Sequence, residues 1–167
     1  VETPSGILLV LPQIALPLPR KPTLLLLLDA IQTPGNLGTM LRTAAAAGVD
    51  AVLLAPGCVD VYNPKVVRGA MGAHLHLPLQ RMAWGEIENY VAGLQVAVAS
   101  AESSQHYTDY NWQQPTVLII GNEANGPSAT ARALGKGIAI PMASQTESLN
   151  AAMAAGILLF EAVRQRR

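Results

Sequence analysis

Charge of either sign is scarce in this chain of 167 residues, and what there is cancels: eleven Lys and Arg stand against eleven Asp and Glu. A net charge of zero excludes a protein that holds nucleic acid by bulk electrostatics alone, so any such binding needs a local patch or a further segment. Cysteine is nearly absent. Cys58 stands alone, which rules out an intramolecular disulfide framework and fits a reducing cytoplasm. The apolar run "LLLLLDA" at 24–30 is too short to span a membrane. No basic stretch precedes an apolar one at the start, so no signal peptide is expected. Also missing are G-x-G-x-x-G, the phosphate-binding G-x-x-x-x-G-K-[ST], the G-x-S-x-G elbow and H-E-x-x-H. Their absence disfavours a generic nucleotide-binding domain and the hydrolases and zinc proteases that use these motifs. There is no internal repeat.

What remains is half hydrophobic, enough to bury the core of one domain. Strands are expected at 7–11, 23–28, 51–54, 75–78, 95–99, 116–120 and 137–140. Helices are expected at 35–47, 64–70, 84–94 and 128–134, with a last one opening near Thr146. Continuous apolar strands joined by helices predict an α/β fold, a mainly parallel sheet with helices on both faces. The proline-rich 1–22 reads as an extended segment leading into a domain over 23–167. Because the chain opens on Val1, the native start is expected upstream.

Ligands of such sheets sit beyond the carboxyl ends of the strands, which directs attention to three loops. In "DAIQTPGNLGTMLRTA" (29–44), Asn36 can cap a helix, Gly38 permits close approach of another backbone, and Arg42 follows six residues later, expected on roughly the same side as Asn36. This is either a capped surface helix with one exposed arginine or an anion-binding or catalytic arginine beside a helix start. In "LIIGNEANGPS" (118–128), Glu123 follows a buried strand, as a solvated helix-capping loop residue or as a site carboxylate. In "IPMASQTESLNAAMAA" (140–155), Thr146 or Ser148 can cap a helix with Glu147 near its positive end. That leaves Asn150 unexplained, a poor residue for a helix interior, ahead of a run of small residues suited to close packing. His74 and His76 are expected two apart on one strand face; without a Cys or carboxylate nearby they favour a structural role over a metal site.

Together, "NLGTMLRTAAAAG", "LIIGNEANGPS" and "IPMASQTESLNAAMAAGILLFE" resemble the three motifs of the SpoU/TrmH family of RNA ribose 2′-O-methyltransferases, in the SPOUT superfamily, and "YNPKVVRGAMGA" (62–73) resembles the family's segment between the first two. The resemblance runs from about Thr3 to Arg164. It implies an α/β knot formed by the C-terminal segment, a cytoplasmic homodimer packed around it through Ala151, Ala152, Ala154, Ala155 and Gly156, and S-adenosylmethionine as cofactor with no metal. Gly121, Ile140 and Leu149 match positions lining the cofactor pocket, with Ile120, Asn122, Met142, Ser148, Asn150 and Ala151 around them. Arg42 matches the catalytic arginine, and Asn36, Glu123, Ser148 and Asn150 the polar residues of the reaction centre, Glu123 and Asn36 orienting Arg42.

The implied partner is tRNA or ribosomal RNA. Arg42, Lys65 and Arg68, with Arg164, Arg166 and Arg167, are the expected phosphate contacts. Many family members carry an RNA-recognition domain ahead of the catalytic one, so the present segment is expected to hold RNA weakly. The reaction implied is attack of a ribose 2′-oxygen on a sulfonium methyl. A guanidinium is a poor base at neutral pH, so Arg42 is better suited to gripping a phosphate and stabilising the developing alkoxide. A relative that methylates a base nitrogen and a catalytically silent cofactor- or RNA-binding module are the competing readings. The wording "NLGTMLRTA" favours ribose, and the joint presence of Arg42, Glu123, Ser148 and Asn150 argues against silence.

Overall fold

The computed structural model describes residues 6, 10–13, 15–143 and 149–167. Six parallel strands form one sheet in the order β3-β2-β1-β5-β4-β6. They are β1 (Leu24–Leu28), β2 (Ala51–Leu54), β3 (Leu79–Arg81), β4 (Gln95–Ala99), β5 (Thr116–Ile120) and β6 (Lys136–Ile138). The helices are α1 (Pro34–Ala47), α2 (Pro64–Ala70), α3 (Trp84–Val91), α4 (Ala129–Leu134) and α5 (Ala151–Arg166).

The five leucines of β1 show why the strands read as unbroken apolar runs. Successive side chains point to opposite faces of a sheet. Leu24, Leu26 and Leu28 enter a core with Leu37, Met40 and Leu41 of α1, Val66 of α2 and Leu158 and Leu159 of α5. Leu25 and Leu27 enter a second core with Ile87 and Val91 of α3 and Ala131 of α4. A strand buried on both faces has no position left for a polar side chain.

The winding explains which helix goes where. From β1 the chain steps outward through α1 to β2 and through α2 to β3. It then crosses the sheet to β4, and because such crossovers are right-handed, the reversed direction puts α3 on the opposite face. Strands β1 and β5 are neighbours in register from Leu24↔Thr116 to Leu28↔Ile120. Their carboxyl ends therefore lie side by side where the strand order reverses, the place where sheets of this kind form a crevice.

Most expected elements appear within two or three residues of their predicted limits, although the last helix opens only at Ala151. The strand expected at 75–78 does not form. Residues Ala73–Leu75 make a 3-10 turn, entered through left-handed Met71 and Gly72, and β3 starts only at Leu79. The ring of His74 contacts the Val61 carbonyl at 2.8 Å through Nε2, so the alternation in "HLHLPL" belongs to a turn, and the two histidines do not share a strand face. Of the strand expected at 7–11, residues 7–9 lie outside the described residues, and 10 and 11 are in no regular element.

Helices α1 and α2 meet through glycine. A Cβ on Gly38 would stand 2.9 Å from the Val66 carbonyl oxygen and 3.0 Å from Cα of Gly69, both backbone atoms. Gly38→Leu is expected to push α2 off α1 and lower the unfolding free energy by about 1–3 kcal/mol. Chemical denaturation monitored by circular dichroism measures this, and unchanged stability would show that the crossing is looser than the contact implies.

Candidate functional site

The loops after β1 and β5 are joined by the carboxylate of Glu123. Its Oε1 accepts from the Thr33 backbone N–H at 3.1 Å and from Nδ2 of Asn36 at 3.1 Å, and its Oε2 accepts from the Gln32 N–H at 3.2 Å. Thr33 is the N-cap of α1, yet its own side chain makes no capping bond. Glu123, ninety residues away in sequence, accepts instead from the N–H groups of Thr33 and Gln32 just ahead of the first turn, a carboxylate near the positive end of the helix. Partial burial raises the pKa of Glu123. Hydrogen bonds from Asn36 and from the backbone outweigh that and hold it below the usual glutamate range.

Asn36 is thus not the cap of α1 but sits in its first turn, with its amide used twice. Its Nδ2 donates to Glu123, and its Oδ1 accepts from Nδ2 of Asn150 at 3.0 Å. Asn150 in turn is the N-cap of α5, its Oδ1 accepting from the N–H groups of Ala152 at 2.9 Å and Met153 at 3.2 Å. This resolves the place of Asn150, which precedes the helix instead of lying inside it. The three loops singled out in the sequence therefore meet in one chain of side chains, Glu123–Asn36–Asn150.

Beside this chain opens a cleft of about 310 Å³ over the carboxyl ends of β4, β5 and β6. Ile120, Gly121, Asn122, Ile140, Met142, Leu149 and Ala151, all expected to line a cofactor pocket, line it. Asn150 belongs to the polar chain and is not part of the lining. Ser148, expected in both roles, lies outside the described residues together with Thr146, expected as a cap. Gly121 is dictated by packing: a Cβ there would stand 2.1 Å from the Pro127 nitrogen and 2.4 Å from the Gly126 carbonyl carbon. The loop folds back onto the end of its own strand and leaves no room for a side chain at Gly121.

Two lining residues carried no signal in the sequence. Arg132 donates from Nε to the Pro127 carbonyl at 3.0 Å and pairs with Glu102 at 3.4 Å. Both belong to no motif, and only the fold brings the segment after β4 against α4.

Arg42 departs from expectation. It is exposed, and its side chain has no hydrogen bond or ion pair among the described residues; Glu123 and Asn36 bind each other and the backbone. Six residues along a helix is about 120° short of two turns, so Asn36 faces the loops while Arg42 faces out. Lys65 and Arg68 are exposed on α2. Arg164 and Arg166, expected as phosphate contacts, are engaged within the fold. Arg164 grips Glu161 with two bonds of 2.7 Å, and this, with Gln165, holds the Glu161 carboxyl at about 2. Arg166 donates to the carbonyls of Trp112, Thr23 and Gln114 at 2.6, 2.8 and 2.9 Å. Among the described residues no three His, Cys, Asp or Glu side chains come together to hold a metal.

Asn36→Asp tests the polar chain, because it keeps the shape and replaces the donor facing Glu123 by a second carboxylate. At neutral pH the variant is expected to lose about 1–3 kcal/mol of stability. The deficit shrinks on acidification, as one carboxyl of the pair takes up a proton and becomes a donor. In the parent chain the sign is opposite: the depressed Glu123 stabilises above the ordinary glutamate range, and that contribution is lost as pH falls through the lowered value. Melting temperatures of both proteins between about pH 2 and 8 decide the matter, and parallel curves would rule out the Asn36–Glu123 contact.

Residues 23–160 match the model of the SpoU rRNA Methylase family. An uncharacterized tRNA/rRNA methyltransferase of Synechocystis is 43% identical over 84% of this chain and 53% of its own length. A 23S rRNA guanosine 2′-O-methyltransferase of Bacillus subtilis is 39% identical over 95% of this chain and 65% of its own. Among solved structures, the SpoU methyltransferase AviRb of Streptomyces viridochromogenes in complex with AdoMet superposes with a TM-score of 0.84 at 37% identity, over 89% of this chain and 63% of that one. The chain thus spans between half and two thirds of these relatives. With a family match across nearly the whole parallel sheet and its three loops, this chain belongs to the SpoU rRNA methylase family.

Proposed function

We propose that this chain is the catalytic part of an S-adenosylmethionine-dependent methyltransferase acting on a ribose 2′-hydroxyl of RNA. The observation that carries the reading is the cleft over β4, β5 and β6 with the polar chain Glu123–Asn36–Asn150 at its border. The names of the relatives from Bacillus subtilis and Streptomyces viridochromogenes, both 23S rRNA 2′-O-methyltransferases, favour ribosomal RNA over tRNA.

The cleft suits this cofactor. Ile120, Ile138, Ile140, Leu149 and Leu158 give apolar walls for a flat base, and the ends of strands and loops offer backbone donors and acceptors to read its edge. When bound, S-adenosylmethionine supplies a methyl group already activated on a sulfonium. The protein's share is then orientation and the handling of one proton and one developing charge. Glu123, a lining residue tied to the start of α1, and Asn150, at the start of α5, fix the loop and the helix end that border the cleft. Ser148, shortly before the Asn150 cap in sequence, belongs with them by its place in the third motif. Arg42, free of internal partners among the described residues, is available to hold the phosphate next to the target ribose and to stabilise the 2′-oxygen as its proton leaves. Lys65 and Arg68 extend the cationic surface along α2, which crosses α1 at Gly38. A neutral chain needs such a local patch to meet RNA.

Assembly as a homodimer accounts for the outer face of α5. Met153, Ile157 and Phe160 follow one another at helical spacing and are 60%, 37% and 49% exposed. The small residues named for this role behave differently: Ala152 and Ala155 are buried in the core, and Ala151 and Ala154 line the cleft. Large apolar side chains, not alanines, would form the contact, beside the knot that the C-terminal segment would make. A cytoplasmic setting agrees with the bacterial relatives.

Two measurements test this reading. Calorimetric titration with S-adenosylhomocysteine is expected to show one site per chain, and Arg42→Ala is expected to retain that binding while methyl transfer to RNA falls at least about a hundredfold. Near-normal transfer by Arg42→Ala would remove the arginine from the reaction. Phe160→Glu, which places a charge in the apolar stripe, is expected to shift the sedimentation mass from two chains toward one, and a parent chain that sediments as a monomer would exclude the interface.

A further inference from the structure

We propose that Asp29 is a positioning residue that sets the shape of the cofactor cleft by clamping the returning end of its main loop, without touching the cleft itself. The inference rests on the reading of the cleft as a cofactor site.

Asp29 follows the last residue of β1 and is only 3% exposed. Burying a carboxylate is costly unless hydrogen bonds or a paired charge compensate it. Here no cation pairs with it among the described residues. Its Oδ2 accepts one hydrogen bond, at 2.7 Å, from the backbone N–H of Ser128, ninety-nine residues further along the chain. A charged acceptor on a backbone donor is among the stronger hydrogen bonds available to a protein.

Ser128 is where the loop from Gly121 to Pro127 comes back to the body of the domain. Every residue of that loop lines the cleft, and Asp29 does not. The outgoing end is also pinned to the first loop: Nδ2 of Asn122 donates to the Ala30 carbonyl at 2.8 Å, and Ala30 presents that carbonyl from a left-handed conformation, φ 54°. Inside the loop, Oδ1 of Asn122 accepts from the N–H groups of Ala124 and Asn125, both at 3.0 Å. The loop is therefore a preformed turn held near its two ends by the neighbouring residues Asp29 and Ala30, in addition to the bonds that join Glu123 to the start of α1 and Arg132 to the Pro127 carbonyl. Pro127 has no N–H to offer, which makes the Ser128 N–H the first donor after the fold-back that can be held. Releasing it lets Gly126 and Pro127 move away from Gly121, and the wall of the cleft moves with them.

The test pairs two variants with two readouts. Asp29→Ala removes the acceptor, whereas Asp29→Asn keeps an oxygen that can accept from Ser128. In the ligand-free protein, Asp29→Ala is expected to raise amide hydrogen exchange across residues 121–128 while β1 and β5 stay protected. Its Kd for S-adenosylhomocysteine, and its KM for the methyl donor, are expected to rise about tenfold with a smaller change in kcat. Asp29→Asn is expected to recover most of both. Unchanged exchange in the loop, a rise spread evenly over the sheet, or an unchanged Kd in Asp29→Ala would each overturn the proposal. Failure of the parent chain to bind S-adenosylhomocysteine would instead sink the cofactor reading, and the exchange experiment would still judge the clamp.

Discussion

The carboxylate of Glu123 is the point on which the arrangement turns. It ends a hydrogen-bonded path that begins at the cap of α5, passes through the amide of Asn36 and finishes on the free N–H groups at the start of α1. Each partner is left unsatisfied if another moves. Without Glu123 the start of α1 loses its side-chain acceptor, and without Asn36 the caps of two helices lose their link. This mutual dependence fixes three segments distant in sequence to within hydrogen-bonding precision, the kind of support a reacting geometry requires.

The sheet makes that meeting feasible. Parallel strands send all their carboxyl ends to one edge, and the reversal of strand order sets β1 beside β5. The loops that follow these two strands are then neighbours by construction. Five consecutive leucines in β1 look like excess hydrophobicity in the sequence, but both faces of the strand are buried, and the strand stops where the polar Asp29 begins. The polar groups Asp29, Asn122 and Glu123 begin where the strands stop.

This division explains what the sequence disclosed. Strands β2, β4 and β5 were legible to the residue, because a strand covered on both faces is uniformly apolar and ends where polarity returns. The three loops were legible as strand-to-helix joints with unusual polar content. The caps were not. Thr33 and Asn150 open their helices, whereas local pattern pointed to Asn36 and to Thr146 or Ser148. The acceptor at the start of α1 comes from a carboxylate ninety residues away, and no local rule can contain it. The turn at 73–75 was misread for a related reason: its histidine is held by the Val61 carbonyl, a tertiary contact that overrides the alternating pattern. The lining residues Glu102 and Arg132 were invisible because they belong to segments joined only by the packing of α4 on β4.

The contrast between the held and the unheld polar groups bears on how the site divides its work. Asp29, Asn36, Asn122, Glu123 and Asn150 are all engaged by the protein itself, so the cleft is shaped before anything enters it, and little ordering is left to oppose binding. Arg42, Lys65 and Arg68 are exposed on the outer sides of α1 and α2, where a large anionic partner can reach them. A rigid interior suits a small ligand of constant form. Long, solvated cations outside it suit contacts that form only when a partner docks, the role proposed for them. In a chain of zero net charge the remaining cations are used differently: Arg164 is balanced by Glu161 on the same helix, and Arg166 fastens the last helix to the carbonyls of Trp112, Thr23 and Gln114.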